Sequence, residues 1–357
     1  MCLKMNVLPV NPKLRLDSEF ISLINEIDKN LAGLNTFCTV LDYEDNVFNL
    51  LVTSEAIASI NIDSKTTLKF SDYFKANDEL NKKITRYYSS INFGNLLKNI
   101  SKTSHIIKSI YSELSGEEEN ILGEIKYRDG NVFDLSNEFN SSSLIALPAP
   151  AEIPLLMQNL DEYSGLDISY PLIINAAIIH GQFEMIHPFN SHNGLTGRLH
   201  FHLLLKSKNR LVVPILQISP VLYKKKQEYF ERLLDLEKNN SWEGWIKFVL
   251  LVINEAVFNT RKLLGKIFKL RKTDLEIITT KEIISTSLLK FYNYLFKKPI
   301  FTIPDITKDL GYSKQTANII VSKLMDEKII TETTGQQRYR IYSYKKLVDI
   351  LENESDS

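Results

Sequence analysis

The stretch that most constrains this chain is a polar loop between two predicted helices. Residues 170–184 are apolar on nearly every side, which predicts a central, buried helix. The loop 186–198 follows, with His187 near its start, small and polar residues in its middle, and Arg198 one turn into a helix predicted over 195–205. Backbone N–H groups at such a helix start form a ready site for phosphate. A histidine one loop away is placed to act as a base on a hydroxyl that approaches this phosphate.

Composition narrows the class of protein. The 357 residues exceed one ordinary core and suffice for two or three domains. With 43 basic and 43 acidic residues, no overall field draws the chain to nucleic acid or to an anionic membrane, so such binding has to be local. The two cysteines, Cys2 and Cys38, exclude a disulfide framework and a four-cysteine zinc site. We find no signal peptide and no run long enough to span a membrane, so we expect a cytoplasmic protein with no membrane partner.

The first third of the chain is predicted to be a helical region, residues 1–115. Apolar residues at helical spacing predict helices over 17–32 and 44–60, and most of 68–115 follows the same pattern. Gly33 is the expected stop of the first helix. These helices are interpreted as core.

The middle of the chain, residues 116–270, begins with a change of pattern. Two short β-like runs around a polar, Asp-Gly-containing connection predict a hairpin or flap over 125–147. A surface hairpin without a ligand is an equally good interpretation of this stretch alone. A long helix is predicted over 242–270, and the polar run 271–274 is the expected domain boundary.

The last part, residues 275–345, is predicted to be a winged helix-turn-helix domain, followed by a tail over 346–357. A short helix, a Gly-containing turn, a second helix and a β-hairpin give this order. Winged helices also serve as protein-docking or dimer modules, so DNA binding and protein docking both remain open. Binding through phosphate contacts should fall steeply with salt. The candidates for DNA contact are Lys314, Gln315, Asn318, Arg338 and Arg340.

The loop 187–198 resembles the signature of Fic-domain proteins, H-P-F-x-(D/E)-G-N-G-R-x-x-R. It departs from that signature at Ser191 in place of an acid, His192 in place of glycine, and Leu195 in place of the first arginine. The resemblance implies a mainly α fold: a Fic helical core with a β-hairpin flap, plus the C-terminal winged helix-turn-helix domain. The matching residues are His187, Pro188, Phe189, Asn193, Gly194 and Arg198.

The resemblance also implies a reaction, the transfer of AMP from ATP to a Ser, Thr or Tyr hydroxyl of a protein, the chain itself included. His187 would take the proton from the hydroxyl, Phe189 would hold the loop in shape, and the target would lie against the flap. Arg198 would bind the outer phosphates. The set implied to bind the nucleotide is Ser191, His192, Asn193, Gly194, Thr196, Gly197 and Arg198.

The departures leave two functions open. The acid that Ser191 replaces holds a divalent ion in the family, and a serine hydroxyl is a poor ligand for Mg²⁺. We predict no metal site among the histidines, since His200 and His202 lie on different faces of a helix. One function is a weak or altered adenylyltransferase. The alternative is a catalytically impaired nucleotide-binding protein that regulates by docking DNA or protein. The sequence leaves the oligomeric state open, a homodimer included.

A second motif lies in the segment 59–64. Fic proteins with an N-terminal regulatory helix carry (S/T)-x-x-x-E-(G/N), and Ser59 and Asp63 have this spacing here, with Ser64 at the last position. The resemblance implies an inhibitory contact between Asp63 and Arg198. Because Asp is one methylene shorter than Glu, we expect a loose or water-bridged pair.

Overall fold

The computed structural model is mainly helical, as the sequence predicts. Among the helices it describes, none has both the length and the apolar character that a membrane span requires. The described residues are 7–10, 13–40, 45–74, 78–96, 102–116, 125–130, 147–166, 170–207, 210–211, 216–281 and 283–356.

The N-terminal region consists of four α-helices and a short 3₁₀ turn. Helix α1 runs through Gly33, the predicted stop, because the helix packs along its length on a later helix and a helical glycine costs only about 1 kcal/mol. Ile27 and Leu31 are buried in this contact. The elements are α1 Ser18–Val40, α2 Asp45–Ile62, the 3₁₀ turn Phe70–Phe74, α3 Asp78–Leu96 and α4 Thr103–Ser115.

The central core surrounds one buried helix. Helix α6 is apolar all round and is buried along almost its whole length. It packs between its neighbours and accepts a 2.8 Å hydrogen bond at the Ala177 carbonyl from the indole of Trp245. The core helices are α5 Ile153–Gly165, α6 Leu172–Ile186, α7 Asn193–Ser207, α8 Ile218–Lys224, α9 Lys226–Asn239 and α10 Trp242–Thr280.

The predicted end of the long helix at residue 270 is wrong, while the domain boundary expected at 271–274 stays a prediction. Helix α10 continues through these residues to Thr280 and breaks only before the next helix begins at Thr286. Arginine and lysine are good helix formers, so a short charged run does not end a helix. Asp274 is fully buried, and the hydroxyl of Tyr344 donates a hydrogen bond to its carboxylate.

The C-terminal part places three helices beside a small antiparallel sheet. The strand order is β1-β3-β2, with Ile300 opposite Ser343 and Thr331 opposite Ser343 on the other side. Ser313 caps α13 by accepting a hydrogen bond from the Thr316 N–H. The elements are α11 Thr286–Leu295, β1 Ile300–Phe301, α12 Ile303–Leu310, α13 Lys314–Asp326, β2 Thr331–Glu332 and β3 Tyr342–Ser343.

The residues predicted to form a tail, 346–357, instead lie almost entirely in a helix, α14 Lys345–Asp356. Its buried Leu347 and Leu351 belong to the hydrophobic core, and the helix packs on α10 and α8. The Ser71 N–H donates a 2.9 Å hydrogen bond to Glu352. The C-terminal part is thereby joined to the core by packing.

The predicted flap falls mainly outside the described residues. Residues 125–130 are described and form neither helix nor strand, and 131–146 are not described. Hairpin pairing over 125–147 therefore stays a prediction.

Candidate functional site

His187 stands at the end of α6 with a left-handed backbone, φ 49°. Its N–H donates a 2.9 Å hydrogen bond to the Phe183 carbonyl and closes the helix. Burial lowers the pKa of the imidazole to about 4; Asp63 and a hydrogen bond from the ring to the Glu184 carbonyl act against this, and Arg128 acts with it. The ring is therefore neutral at neutral pH, which is the form that accepts a proton.

Arg128, in the first described residues of the predicted flap, binds the loop. Its main-chain N–H donates to the Pro188 carbonyl at 2.8 Å, and its Nε donates to the His187 carbonyl at 2.8 Å. The guanidinium also donates to the carbonyls of Pro148, at 2.6 Å, and Gly130. The sequence analysis missed this residue, because a contact across 59 residues leaves no local pattern.

Asn193 ties the loop to itself. Its amide donates to the Phe189 carbonyl at 2.7 Å and accepts from the Phe189 N–H at 2.9 Å. The ring of Phe189 stacks on Tyr111 with centroids 3.9 Å apart, which fixes the loop on α4. Asn193 therefore holds the loop in shape, and its side chain is already engaged there rather than with a phosphate.

Ser191 and His192, which both depart from the motif, lie directly before α7. The Ser191 hydroxyl lies 2.7 Å from Nδ1 of His192. His192 has a left-handed backbone, φ 57°, and its carbonyl accepts hydrogen bonds from the N–H and the hydroxyl of Thr196, at 2.9 and 2.7 Å. Thr196 thus acts on the backbone of the loop.

Arg198 is buried and pairs with the predicted inhibitory residues. Its Nε donates to the Ser59 hydroxyl at 2.8 Å, and its Nη2 donates to the Ser59 carbonyl at 2.9 Å and to Oδ2 of Asp63 at 2.7 Å. Burial acts to lower the pKa of Arg198, but the charge and hydrogen bond of Asp63, together with Tyr229 and Glu184, outweigh it, and the pKa lies above its usual value. The expectation of a loose or water-bridged pair is wrong: the end of α2 lies close enough for direct contact.

Two glycines allow this close packing. A Cβ on Gly194 would lie 2.7 Å from Arg198 and 2.8 Å from Asp63. A Cβ on Gly197 would collide with the carboxylate of Glu184 and with Phe183. Gly197 is therefore a packing residue between α6 and α7.

Glu184 is a second residue that the sequence analysis missed. It lies one turn before His187 on α6, is 9% exposed, and its Oε1 has no hydrogen-bond partner among the described residues. Burial raises its pKa to about 8, against the opposing effect of Arg198. Behind it, Nδ1 of His180 lies 3.9 Å away, and Nε2 of His180 lies 3.2 Å from the Tyr229 hydroxyl.

These elements enclose a cavity of about 380 Å³, which falls within the usual range of small-molecule sites. The predicted residues Thr196, Gly197 and Ser59 do not line it. Asp63, Glu184, Arg128 and Tyr229 lie in its wall. The predicted residues that it brings together are His187, Ser191, His192, Asn193, Gly194 and Arg198.

The donor set in this cavity does not fit a divalent metal. In the part of the chain that the structure describes, no group of three His, Cys, Asp or Glu side chains could hold a metal ion. Asp63 is engaged with Arg198, and the Ser191 hydroxyl is engaged with His192. Glu184 also lines the cavity, but burial raises the pKa of its carboxyl to about 8, so that this group is neutral at neutral pH, whereas a magnesium site needs carboxylate oxygens.

The remaining histidines of α7 lie away from this cavity. His202 Nε2 is 2.9 Å from the carboxylate of Glu55, which also accepts the Ser219 N–H at 3.0 and 3.1 Å. His200 is buried, and burial lowers its pKa to about 4. Both histidines belong to the interior.

Comparison with known proteins identifies the Fic/DOC family at residues 100–205. The fold is similar to that of a Fic family protein from Desulfovibrio desulfuricans G20, with a TM-score of 0.58 and 16% identity over 93% of this chain and 98% of that one. It is also similar to a Fic domain containing signaling protein from Bacteroides thetaiotaomicron VPI-5482, with a TM-score of 0.50 and 14% identity over 67% of this chain and 96% of that one. These likenesses concern the fold.

Proposed function

We propose that this chain, whose residues 100–205 match the Fic/DOC family, transfers AMP from ATP to a Ser, Thr or Tyr hydroxyl of a protein. The observation that carries the proposal is that a neutral His187 and a buried Arg198 face one cavity of suitable size. A base and a fixed cation on the two sides of one cavity are what phosphoryl-group chemistry requires of a protein.

In this proposal, His187 takes the proton of the target hydroxyl while that oxygen attacks the α-phosphorus. The bond from the α-phosphorus to the bridging oxygen breaks, and pyrophosphate leaves. Arg128 and the Glu184 carbonyl hold the base in place. Arg198 neutralises charge on the outer phosphates once Asp63 releases it. The main-chain pairing of Arg128 with Pro188 supports a target strand that docks beside the loop.

The contact of Asp63 and Ser59 with Arg198 supports autoinhibition in the same proposal. A nucleotide that needs the guanidinium has to compete with three hydrogen bonds from it to α2. The basal rate is therefore low, and it rises when α2 withdraws.

Mass spectrometry tests the proposal. The full chain with Asp63→Ala is incubated with ATP and Mg²⁺, and in parallel with ATP and EDTA, alone and with cell protein. We expect AMP adducts on the cell protein that His187→Ala abolishes and that His105→Ala, an exposed histidine of α4, leaves unchanged. Adducts on the cell protein that persist in His187→Ala, or ATP binding without any adduct, would overturn the proposed transfer.

A second function is favoured by the C-terminal part, a regulator that binds DNA. Its helix order and three-stranded sheet support the winged helix-turn-helix interpretation. The candidates Lys314, Gln315 and Asn318 at the start of α13 are exposed, as are Arg338 and Arg340 between β2 and β3. Salt-dependent binding to duplex DNA, lost in Lys314→Ala/Arg338→Ala, supports this function. A partner protein that binds this surface and that duplex DNA does not displace would instead favour a docking module.

A further inference from the structure

Ser191 and His192, two of the three residues at which this loop departs from the motif, form a hydrogen-bonded pair. The Ser191 hydroxyl and Nδ1 of His192 are 2.7 Å apart, and both side chains line the cavity that holds His187 and Arg198. Ser191 is exposed and His192 is half-buried, so the pair lies at the mouth of the cavity.

The backbone beneath the pair is fixed. Two hydrogen bonds from Thr196 hold the His192 carbonyl at the start of α7. His192 also has a positive φ, which few residues other than glycine and asparagine adopt readily. The two side chains are therefore presented by a defined turn at the start of the helix.

A serine hydroxyl within hydrogen-bond distance of an imidazole nitrogen is the arrangement of an activated nucleophile. With the proton of the neutral ring on Nε2, Nδ1 accepts from the hydroxyl and removes its proton as the oxygen attacks. Arg198, which holds the outer phosphates in the proposed function, lines the same cavity as Ser191. The loop thus contains both an acceptor and a base, independent of His187.

We propose that Ser191 is itself an acceptor of AMP from a nucleoside triphosphate, with His192 as its base. The proposal rests on the nucleotide binding and transfer proposed above. The bond from Ser191 Oγ to the α-phosphorus forms, the bond from that phosphorus to the bridging oxygen breaks, and pyrophosphate leaves. The proton of the hydroxyl passes to Nδ1 of His192.

This acceptor has a kinetic consequence. The phosphodiester stays at the mouth of the cavity and occupies the space that the next nucleotide needs. The reaction therefore stops at one AMP per chain. Because donor and acceptor belong to the same chain, its rate constant does not depend on protein concentration.

Peptide mapping of the full chain tests this proposal, in the wild type and with Asp63→Ala, after incubation with ATP and Mg²⁺ and with ATP and EDTA. We expect one adduct per chain, on Ser191, formed with first-order kinetics. Ser191→Ala removes it, Ser191→Thr retains it, and Ser207→Ala, an exposed serine at the end of α7, leaves it unchanged. His192→Asn lowers its rate on the order of a hundredfold, while asparagine tolerates the positive φ.

The outcomes separate the two proposals. Adducts on other hydroxyls that depend on His187, with Ser191 unmodified, overturn this inference and leave the proposed transfer intact. An unchanged rate in His192→Asn, with a circular dichroism melt like that of the wild type, overturns the role of His192. Binding of ATP with no adduct anywhere overturns both proposals.

Discussion

Glu55 in helix α2 and Asp63, the residue directly after that helix, are two acids eight residues apart with different roles. The Glu55 side chain is 3% exposed and is bonded to His202 and to the Ser219 N–H inside the core. The Asp63 side chain is 38% exposed and pairs with Arg198 at the cavity wall. Glu55 fixes α2 on α7 and α8, and Asp63 covers the guanidinium of Arg198, which the proposed transfer requires.

The two acids differ in how far water reaches their carboxylates. A buried ion pair that loses one partner leaves an uncompensated polar group, and the free energy of unfolding falls by several kcal/mol. The Asp63 carboxylate is partly exposed, and the buried guanidinium of Arg198 keeps its two hydrogen bonds to Ser59, so water can replace the carboxylate when it is removed. The stabilising role of Glu55 and the proposed inhibitory role of Asp63 can therefore be separated by mutation, although the two residues are only eight apart.

The largest effect is expected at Glu55. Glu55→Ala leaves His202 and the Ser219 N–H without their partner, and we expect the free energy of unfolding to fall by about 3 kcal/mol in urea denaturation. Glu55→Gln, which keeps an acceptor for the N–H, should lose about half of that. A loss no larger than that of Asp63→Ala would break the distinction between anchor and cover.

Glu184, on the other side of Arg198, gives the next effect. Burial raises its pKa from 4.5 to about 8, so between these values the folded chain keeps a proton that the unfolded chain has released. Stability therefore falls as the pH rises through this window. In Glu184→Gln the fall should be smaller. Thermal melts of both proteins from pH 4.5 to pH 8.5 check this, and parallel curves would contradict it.

Asp63 should affect ligand binding more than stability. In Asp63→Ala we expect nucleotide affinity to rise about tenfold, because Arg198 no longer has a competing carboxylate, while the free energy of unfolding falls by only ~1 kcal/mol. Isothermal titration with a non-hydrolysable ATP analogue measures the first. Asp63→Asn, with a similar shape and no charge, should give most of the rise. Unchanged affinity in both variants would remove the inhibitory interpretation.

The smallest effect is expected at Gly194. In Gly194→Ala the new methyl group displaces Arg198 and Asp63 from each other, and we expect a loss of about 1 kcal/mol in urea denaturation. Gly265→Ala on α10, where nothing lies within 4 Å of the added carbon, is the matched control and should gain a few tenths of a kcal/mol. Equal effects of the two substitutions would contradict a tight fit at the loop.

The comparison also shows which features were readable from the sequence. The apolar pattern of α6 and the loop after it predicted the position of His187 and Arg198, because helical periodicity is local. The spacing of Ser59 and Asp63, interpreted by resemblance, pointed to the correct partner at Arg198. The direct contact depended on how closely α2 approaches, which spacing does not determine.

Other features depend on contacts far apart in the chain. Glu184 is a polar residue in an apolar helix, and this local signal alone could have marked it as a site residue. Arg128 and Glu55 find their partners 59 and 147 residues away, so nothing near them in the sequence announces their role. The polar run 271–274 was expected to end the helix. Its Asp274 is instead buried against Tyr344, 70 residues later, and no local pattern indicates this contact.

The continuity of α10 has a consequence for how the chain meets its partners. Its 39 residues extend over ~58 Å, and the helix contacts α6 through Trp245 and the C-terminal part through Asp274. Because α10 is continuous and α14 packs against α8, the C-terminal part is not connected to the core through a flexible linker. In the proposed transfer, a target bound by the C-terminal part would be held at one distance and orientation from the cavity. Its position, as well as the chemistry of the loop, would then select the hydroxyl.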